Sequence, residues 1–183
     1  DTYKLKTKGD GLFDHLTLGG VDYVIGKKIR TDLELEIDQK INAYHIEKGK
    51  IGMDNLMLDV KGDVLLVGTE PDLDLTFNGT KIDVQAVISV LPNEVAYTLR
   101  DLKSAGQIDV SGKILGRFTE DSWPDINVAF GFVDASVTSK THDLNCQKIN
   151  LTGTLKNPSS KQLDMHIDLE ELNMNKSSIS GLL

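Results

Sequence analysis

Cysteine occurs once in the 183 residues, as Cys146. The chain therefore forms no internal disulfide and no multi-cysteine zinc or iron–sulfur site. A disulfide-free chain suits cytosol and periplasm alike. Positive charge is in deficit, with 20 Lys and Arg against 28 Asp and Glu and a formal net charge of −8. That is the wrong sign for nucleic acid, whose binders need cations to displace phosphate counterions. It also disfavours docking on an anionic membrane surface. No apolar run approaches the roughly 20 residues of a membrane-spanning helix. The opening residues, Asp1 to Lys8, contain no signal-peptide core. The chain does not begin with Met, and the expectation is a section of a longer protein whose targeting or anchoring segment lies outside it. Aromatic residues make up 5% and prolines number four. Apolar residues nevertheless reach 39%, enough for a core and too many for a disordered chain. The length fits one domain, spanning 1–183.

What is present is a period of two. Leu33, Leu35 and Ile37 alternate with Asp32, Glu34, Glu36 and Asp38. Further sets are Leu56, Leu58, Val60 and Val64; then Leu73, Leu75 and Phe77; then Ile108, Val110, Ile114 and Phe118. Ile126, Val128, Phe130 and Phe132 follow, then Ile149, Leu151 and Leu155, then Leu163, Met165, Ile167 and Leu169. Alternation places one set of side chains on one face of a strand, so one face is dry and the other wet, as in antiparallel sheets with one solvated side. Gly9-Asp10-Gly11, Gly19-Gly20, Asn78-Gly79 and Asn157-Pro158 read as turns. Pro71, Pro92, Pro124 and Pro158 fall between alternating runs, where a missing N–H harms no ladder.

One segment departs from the pattern. Val87, Val90 and Leu91, then Val95, Leu99 and Leu102, have helical spacing, with Asn93 as an N-cap. One or two short helices are expected here, 84–87 being the less regular part. The expected fold class is mainly β. It is an antiparallel meander of many short strands forming a curled sheet or groove, or else a sandwich, with the helices near 84–102 capping one end.

An apolar-x-apolar-x-Gly-x-apolar pattern recurs at Leu58–Val64, Ile108–Ile114 and Ile149–Leu155. Its glycines, Gly62, Gly112 and Gly153, share the parity of the dry face. A glycine inside a strand marks a bulge, a bend or a close approach.

Constellations for chemistry are sparse. His15, His45, His142 and His166 lie in different segments, and His142 with Cys146 makes at most half of a zinc site. Asp72 with Asp74, and Asp121 with Asp125, are close in sequence but lack the oxygens and glycine spacing of a calcium loop. No nucleophile elbow surrounds a serine, and no glycine loop has the phosphate-cradling pattern. No catalytic residue, metal or cofactor is expected, and the chain reads as a non-enzyme.

Asn78 to Glu94, with its Val-Leu-Pro92 ending, then Leu102 to Phe118 and Trp123 to Val137, resemble the AsmA-like family of bacterial envelope proteins, particularly its Bacteroidetes-type members. In that family a short helix ending in Pro precedes a strand with in-face glycines, and a Pro-led alternating strand follows. The resemblance covers about a third of the chain. It implies kinship with TamB and other bridge-like lipid transfer proteins. Those have an inner-membrane anchor, a periplasmic body of repeated strands curled into a groove, and a role in phospholipid transport or outer-membrane biogenesis. It implies phospholipid, or another acyl-chain lipid, and neighbouring β-repeats of the same chain as partners. The apolar residues above would then face lipid or form a core. Each buried methylene gains about 0.8 kcal/mol, so an acyl chain on such a face needs no polar recognition. The alternative is a β-sandwich interaction module of an envelope assembly. An enzyme acting on glycans would need a carboxylate pair in a cleft.

Overall fold

The computed structural model describes residues 1–18, 21–89, 103–119, 121–139, 144–158 and 166–175, with 13–18, 21–25, 88–89 and most of 166–175 described by backbone alone. Among these residues nine strands follow one another: β1 (Thr2–Leu18), β2 (Val21–Asp38), β3 (Ala43–Met53), β4 (Leu56–Val67), β5 (Glu70–Asp83), β6 (Lys103–Arg117), β7 (Asp125–Ser139), β8 (Leu144–Asn157) and β9 (His166–Asn175). Each pairs antiparallel with the next, giving one open, curled sheet in the order of the sequence. The meander is as expected. Among the described residues there is one sheet, not the two of a sandwich.

Two of the expected turns are strand instead. Gly9, Asp10 and Gly11 lie within β1, opposite Thr31, Arg30 and Ile29. Glycine weakens a strand but does not end it while the partner ladder continues. Asn78-Gly79 lies within β5, where the register shifts between Gly79 and Ile82. The strands are correspondingly long, up to 18 residues in β2. The turns that do form are tied to neighbouring strands. Asp54, at φ 50°, tolerates the left-handed region, and its backbone N–H donates to the Lys28 carbonyl at 2.9 Å, tying the β3–β4 turn to β2. Pro71 is the second residue of β5, and its carbonyl accepts from Phe118 N–H at 2.9 Å.

The only helix among the described residues is α1 (Val84–Ser89), which falls on the part of 84–102 that looked less regular. The Asp83 carboxylate accepts from Gln85 N–H at 2.7 Å, capping it. The Gln85 side chain donates to the Ser104 carbonyl at 2.8 Å, tying helix to β6. The expected helix over 93–102 lies outside the described residues.

Register shifts in β5, β7 and β8 fall at one level of the sheet, at Lys81 (φ 55°), Asp134 (φ 48°) and Lys148 (φ 51°). Bulges bend strands and tighten their twist. Two of the freed backbone N–H groups are satisfied by side chains. Lys81 N–H donates to the Asp109 carboxylate at 2.7 Å, and Asp134 N–H to the Asn150 amide oxygen at 3.1 Å. Six of the buried apolar residues lie at or beyond this line, Ile82, Val84, Ala86, Ile108, Ala135 and Cys146, while Ile37, Ile46 and Val60 are buried on β2 to β4. Leu56, Leu58, Val87, Val110, Phe130 and Phe132 pack against the cluster of Ile82, Val84, Ala86 and Ile108. The cluster is thus a bent, helix-capped corner of the sheet.

Candidate functional site

The alternation sorts side chains as expected. In β4, Leu56, Leu58, Val64 and Leu66 are half-buried and Val60 is buried, while Met57, Asp59, Lys61, Asp63 and Leu65 are exposed. On β5, Leu73, Leu75 and Phe77 are half-buried. Across β6 to β8, Ile108 is buried, while Val110, Ile114, Ile126, Val128, Phe130, Phe132, Ile149, Leu151 and Leu155 are half-buried. No second layer covers them among the described residues. Phe118, half-buried, lies just past the end of β6, its ring edge-on to Trp123 at a centroid separation of 5.0 Å. Ile167 and Leu169 take register positions opposite Leu155 and Gly153. Leu163 and Met165 lie outside the described residues, as does His142.

The registers align these residues into rows that run across the strands. One row reads Leu33, Gly49, Val60, Phe77, Gly112, Val128, Leu155, each directly opposite the next from β2 to β8. A second reads Leu5, Leu35, Ile46, Gly62, Leu75, Ile114, Ile126, from β1 to β7. With strands about 4.8 Å apart, six strand steps give an apolar path of roughly 29 Å along the curled surface.

The in-face glycines have a steric reason. A Cβ on Gly112 would meet the tip of the Phe77 ring opposite it, and one on Gly153 would lie 2.7 Å from Phe130 Cζ. Large rings lie over the glycine of the next strand, which levels the floor of the path and covers glycine backbone. Gly62, at φ 129°, is the extreme case, because a Cβ there would fall on the carbonyl oxygen of Asp74.

The dry face, half-buried by its own curl and its neighbours, is the one extended apolar surface among the described residues. A separate hollow between β1, β2 and the Asp54-Asn55 turn includes Asp10, Lys28, Arg30, Asp54 and Asn55 in its lining. Its Asp54 carboxylate is already held by Lys27 at 3.1 Å and by Lys28 N–H, and Arg30 donates to the Asp54 carbonyl at 2.6 Å. The Lys27 hydrogen bond in particular holds the Asp54 carboxyl below the usual carboxylate range.

Ile82, Val84, Ala86, Ala135 and Cys146 were not among the expected site residues. The signal for them was a change of parity, from Phe77 and Gly79 to Ile82 and Val84, from Phe132 to Ala135, and from Ile149 to Cys146. Each change is a bulge. Among the described residues, no group of three or more His, Cys, Asp or Glu is placed to hold a metal ion. No helix there is long and apolar enough to cross a membrane. Comparison with protein-family models, curated proteins and solved structures gives no match.

Proposed function

We propose that this chain is a non-enzymatic section of a hydrophobic β-groove that carries the acyl chains of phospholipids, or of similar lipids, between the two membranes of a bacterial envelope. The observation that carries the reading is the single-layer sheet, whose aligned apolar rows have no protein layer over them among the described residues. A sheet with one dry face ordinarily buries it against a second sheet or helices. Here, among the described residues, six residues of helix cover one corner. The floor is aliphatic with a few phenylalanines, a surface that holds hydrocarbon without selecting its length. Lipid head groups would stay in water at the open side. The sequence resemblance supports the periplasm as the location, with an inner-membrane anchor supplied outside this sequence and further β-repeats continuing the groove.

The sheet supplies its own control, because neighbouring residues point to opposite faces. A photo-crosslinking residue at Leu75, Val110 or Val128 is expected to capture phospholipid from cells or vesicles, and one at Ser111 or Lys113 is not. Native mass spectrometry of the purified protein should show lipid-sized adducts. Equal capture from both faces, or a lipid-free protein from both experiments, would sink the reading.

A further inference from the structure

Among the described residues of β1 to β4, Lys27 is the one Lys or Arg with dry parity. It stands two residues from Ile29, in a part of β2 whose register with β1 does not shift. Its side chain is 25% exposed, against 62% or more for Lys4, Lys6, Lys8, Lys48 and Lys50. A lysine in such a place lays its stem along apolar surface and holds its ammonium at the boundary with water.

Lys27 marks where the apolar floor ends. The row next to it reads Gly11, Ile29, Met53, Leu56, and the row after that Gly9, Thr31, Ile51, Leu58. On its other side is the β3–β4 turn, whose Asp54 carboxylate accepts from Lys27 Nζ at 3.1 Å. Asp54 is itself fixed, by Lys28 N–H on its other carboxylate oxygen at 3.3 Å and by Arg30 on its carbonyl at 2.6 Å. An ammonium has three donors, and Asp54 takes one of them. Lys27, Lys28 and Arg30 against Asp10 and Asp54 leave this rim positive in a chain of net charge −8. The opposite rim, at the β2–β3, β4–β5 and β6–β7 connections, is acidic, with Asp38, Glu70, Asp121 and Asp125 against Lys40 and Arg117.

We infer that Lys27 binds the phosphate of a phospholipid head group, with the acyl chains running inward over Met53, Ile51 and Leu58, a site that presupposes the groove proposed above. The site adds a polar anchor and a direction to the groove, because head groups then lie along the β3–β4 rim and not along the acidic one. A charge-assisted bond from the ammonium supplies the anchor, and the floor holds the chains.

The test loads the whole protein, carrying a photo-crosslinking residue at Leu58, from vesicles of dioleoylphosphatidylglycerol with dioleoylglycerol as a minor component. The two lipids share their acyl chains and differ in the phosphate head group. Mass spectrometry reads the capture of each per mole offered. The phospholipid should be captured roughly tenfold more. The preference should shrink near about 1 M salt. Lys27→Gln should bring it to unity, and Lys27→Arg, which keeps the cation, should keep it. A phospholipid with a photoreactive head group should label the protein around Ile29 and Met53.

Equal capture of the two lipids by the parent would overturn the site and leave the groove standing. So would a preference kept by Lys27→Gln, or head-group labelling around Tyr44 and Val64 near the opposite rim. Inorganic phosphate that binds the lipid-free protein as tightly as the phospholipid does, by calorimetry, would assign Lys27 to free phosphate and count equally against the site. Capture of neither lipid, at Leu58 or at Val128, would remove the groove and the site together. Should Lys27→Gln not fold, the salt dependence of the parent and the head-group labelling decide.

Discussion

Strands β1 to β4 and strands β5 to β8 share one sheet but are held differently. On the wet face of the first group, lysines oppose carboxylates in consecutive rows: Lys6, Glu34 and Lys48, or Lys8, Asp32, Lys50 and Asp59. The second group carries mostly Thr, Ser, Asn and Ala there, with Lys113–Asp74 at 2.8 Å an exception. The alternation of sign fails where the groups meet, since Asp63 of β4 faces Asp74 of β5. The second group has what the first lacks: three aligned bulges, a capping helix and phenylalanines lying over glycines. Exposed ion pairs contribute little each, whereas burial at a bent corner contributes much. The first group is therefore expected to open more readily, from β1 inward, and the second to anchor the fold.

Glycine substitutions should separate the groups most widely. At Gly112 of β6 a Cβ would meet the tip of the Phe77 ring and lie 2.7 Å from the Asn127 carbonyl oxygen. Gly112→Ala should cost about 2 kcal/mol, from overlap against ring and backbone together. A Cβ on Gly11 of β1 meets nothing within 4 Å. Gly11→Ala should stay within about 0.5 kcal/mol of the parent. Denaturant unfolding of both proteins measures the contrast. Equal losses would mean that the sheet behaves as one uniform unit.

The next contrast lies within the second group, between its corner and its open floor. Ile108 is 5% exposed in the cluster under α1. Ile108→Ala should cost about 3 kcal/mol. Val128, half-buried in the middle of the path, keeps one side open. Val128→Ala should cost about 1 kcal/mol or less, because much of what it loses faces outward. A large loss at Val128 would mean that the floor is covered, and would count against the groove. Removing the helix cap by Asp83→Ala should cost about 1 kcal/mol. On a protein of this length that lowers the melting temperature by about 2–4 °C.

Much of this arrangement was legible in the sequence. The period of two identified the strands and the dry face. The parity of Gly62, Gly112 and Gly153 placed them on that face before any partner was known. What escaped was long-range. Gly9-Asp10-Gly11 has the composition of a turn, and only the unbroken ladder from β2 keeps it extended. Bulges at Lys81, Asp134 and Lys148 reverse parity, so each apolar set ended early, and Ile82, Ala135 and Cys146 were left out of the site. The charge rows were invisible too, because each depends on register between strands and not on spacing within one.

The smallest effect expected is the most diagnostic of the first group, and it is read through pH. A hydrogen bond from Lys6 holds the Glu34 carboxyl below its ordinary value, and one from Lys4 does the same for Glu47. Their contribution to stability is therefore complete above the ordinary carboxylate range, near about pH 4.5, and is lost as pH falls through the lowered values. Lys4 and Lys6 are raised by the same hydrogen bonds. Their contribution is complete below about pH 10 and is lost as pH rises through the raised values. All four groups are solvated, so each limb should be shallow and salt should flatten it further. Melting temperature against pH should show a plateau between about pH 5 and 10. Exchange should rise first in β1 amides on both flanks, with β6 and β7 unaffected. Glu34→Gln should remove part of the acid limb and leave the alkaline limb of Lys4 in place. An acid limb unchanged in that variant would mean that the rows of opposite charge set the register of these strands without stabilising them.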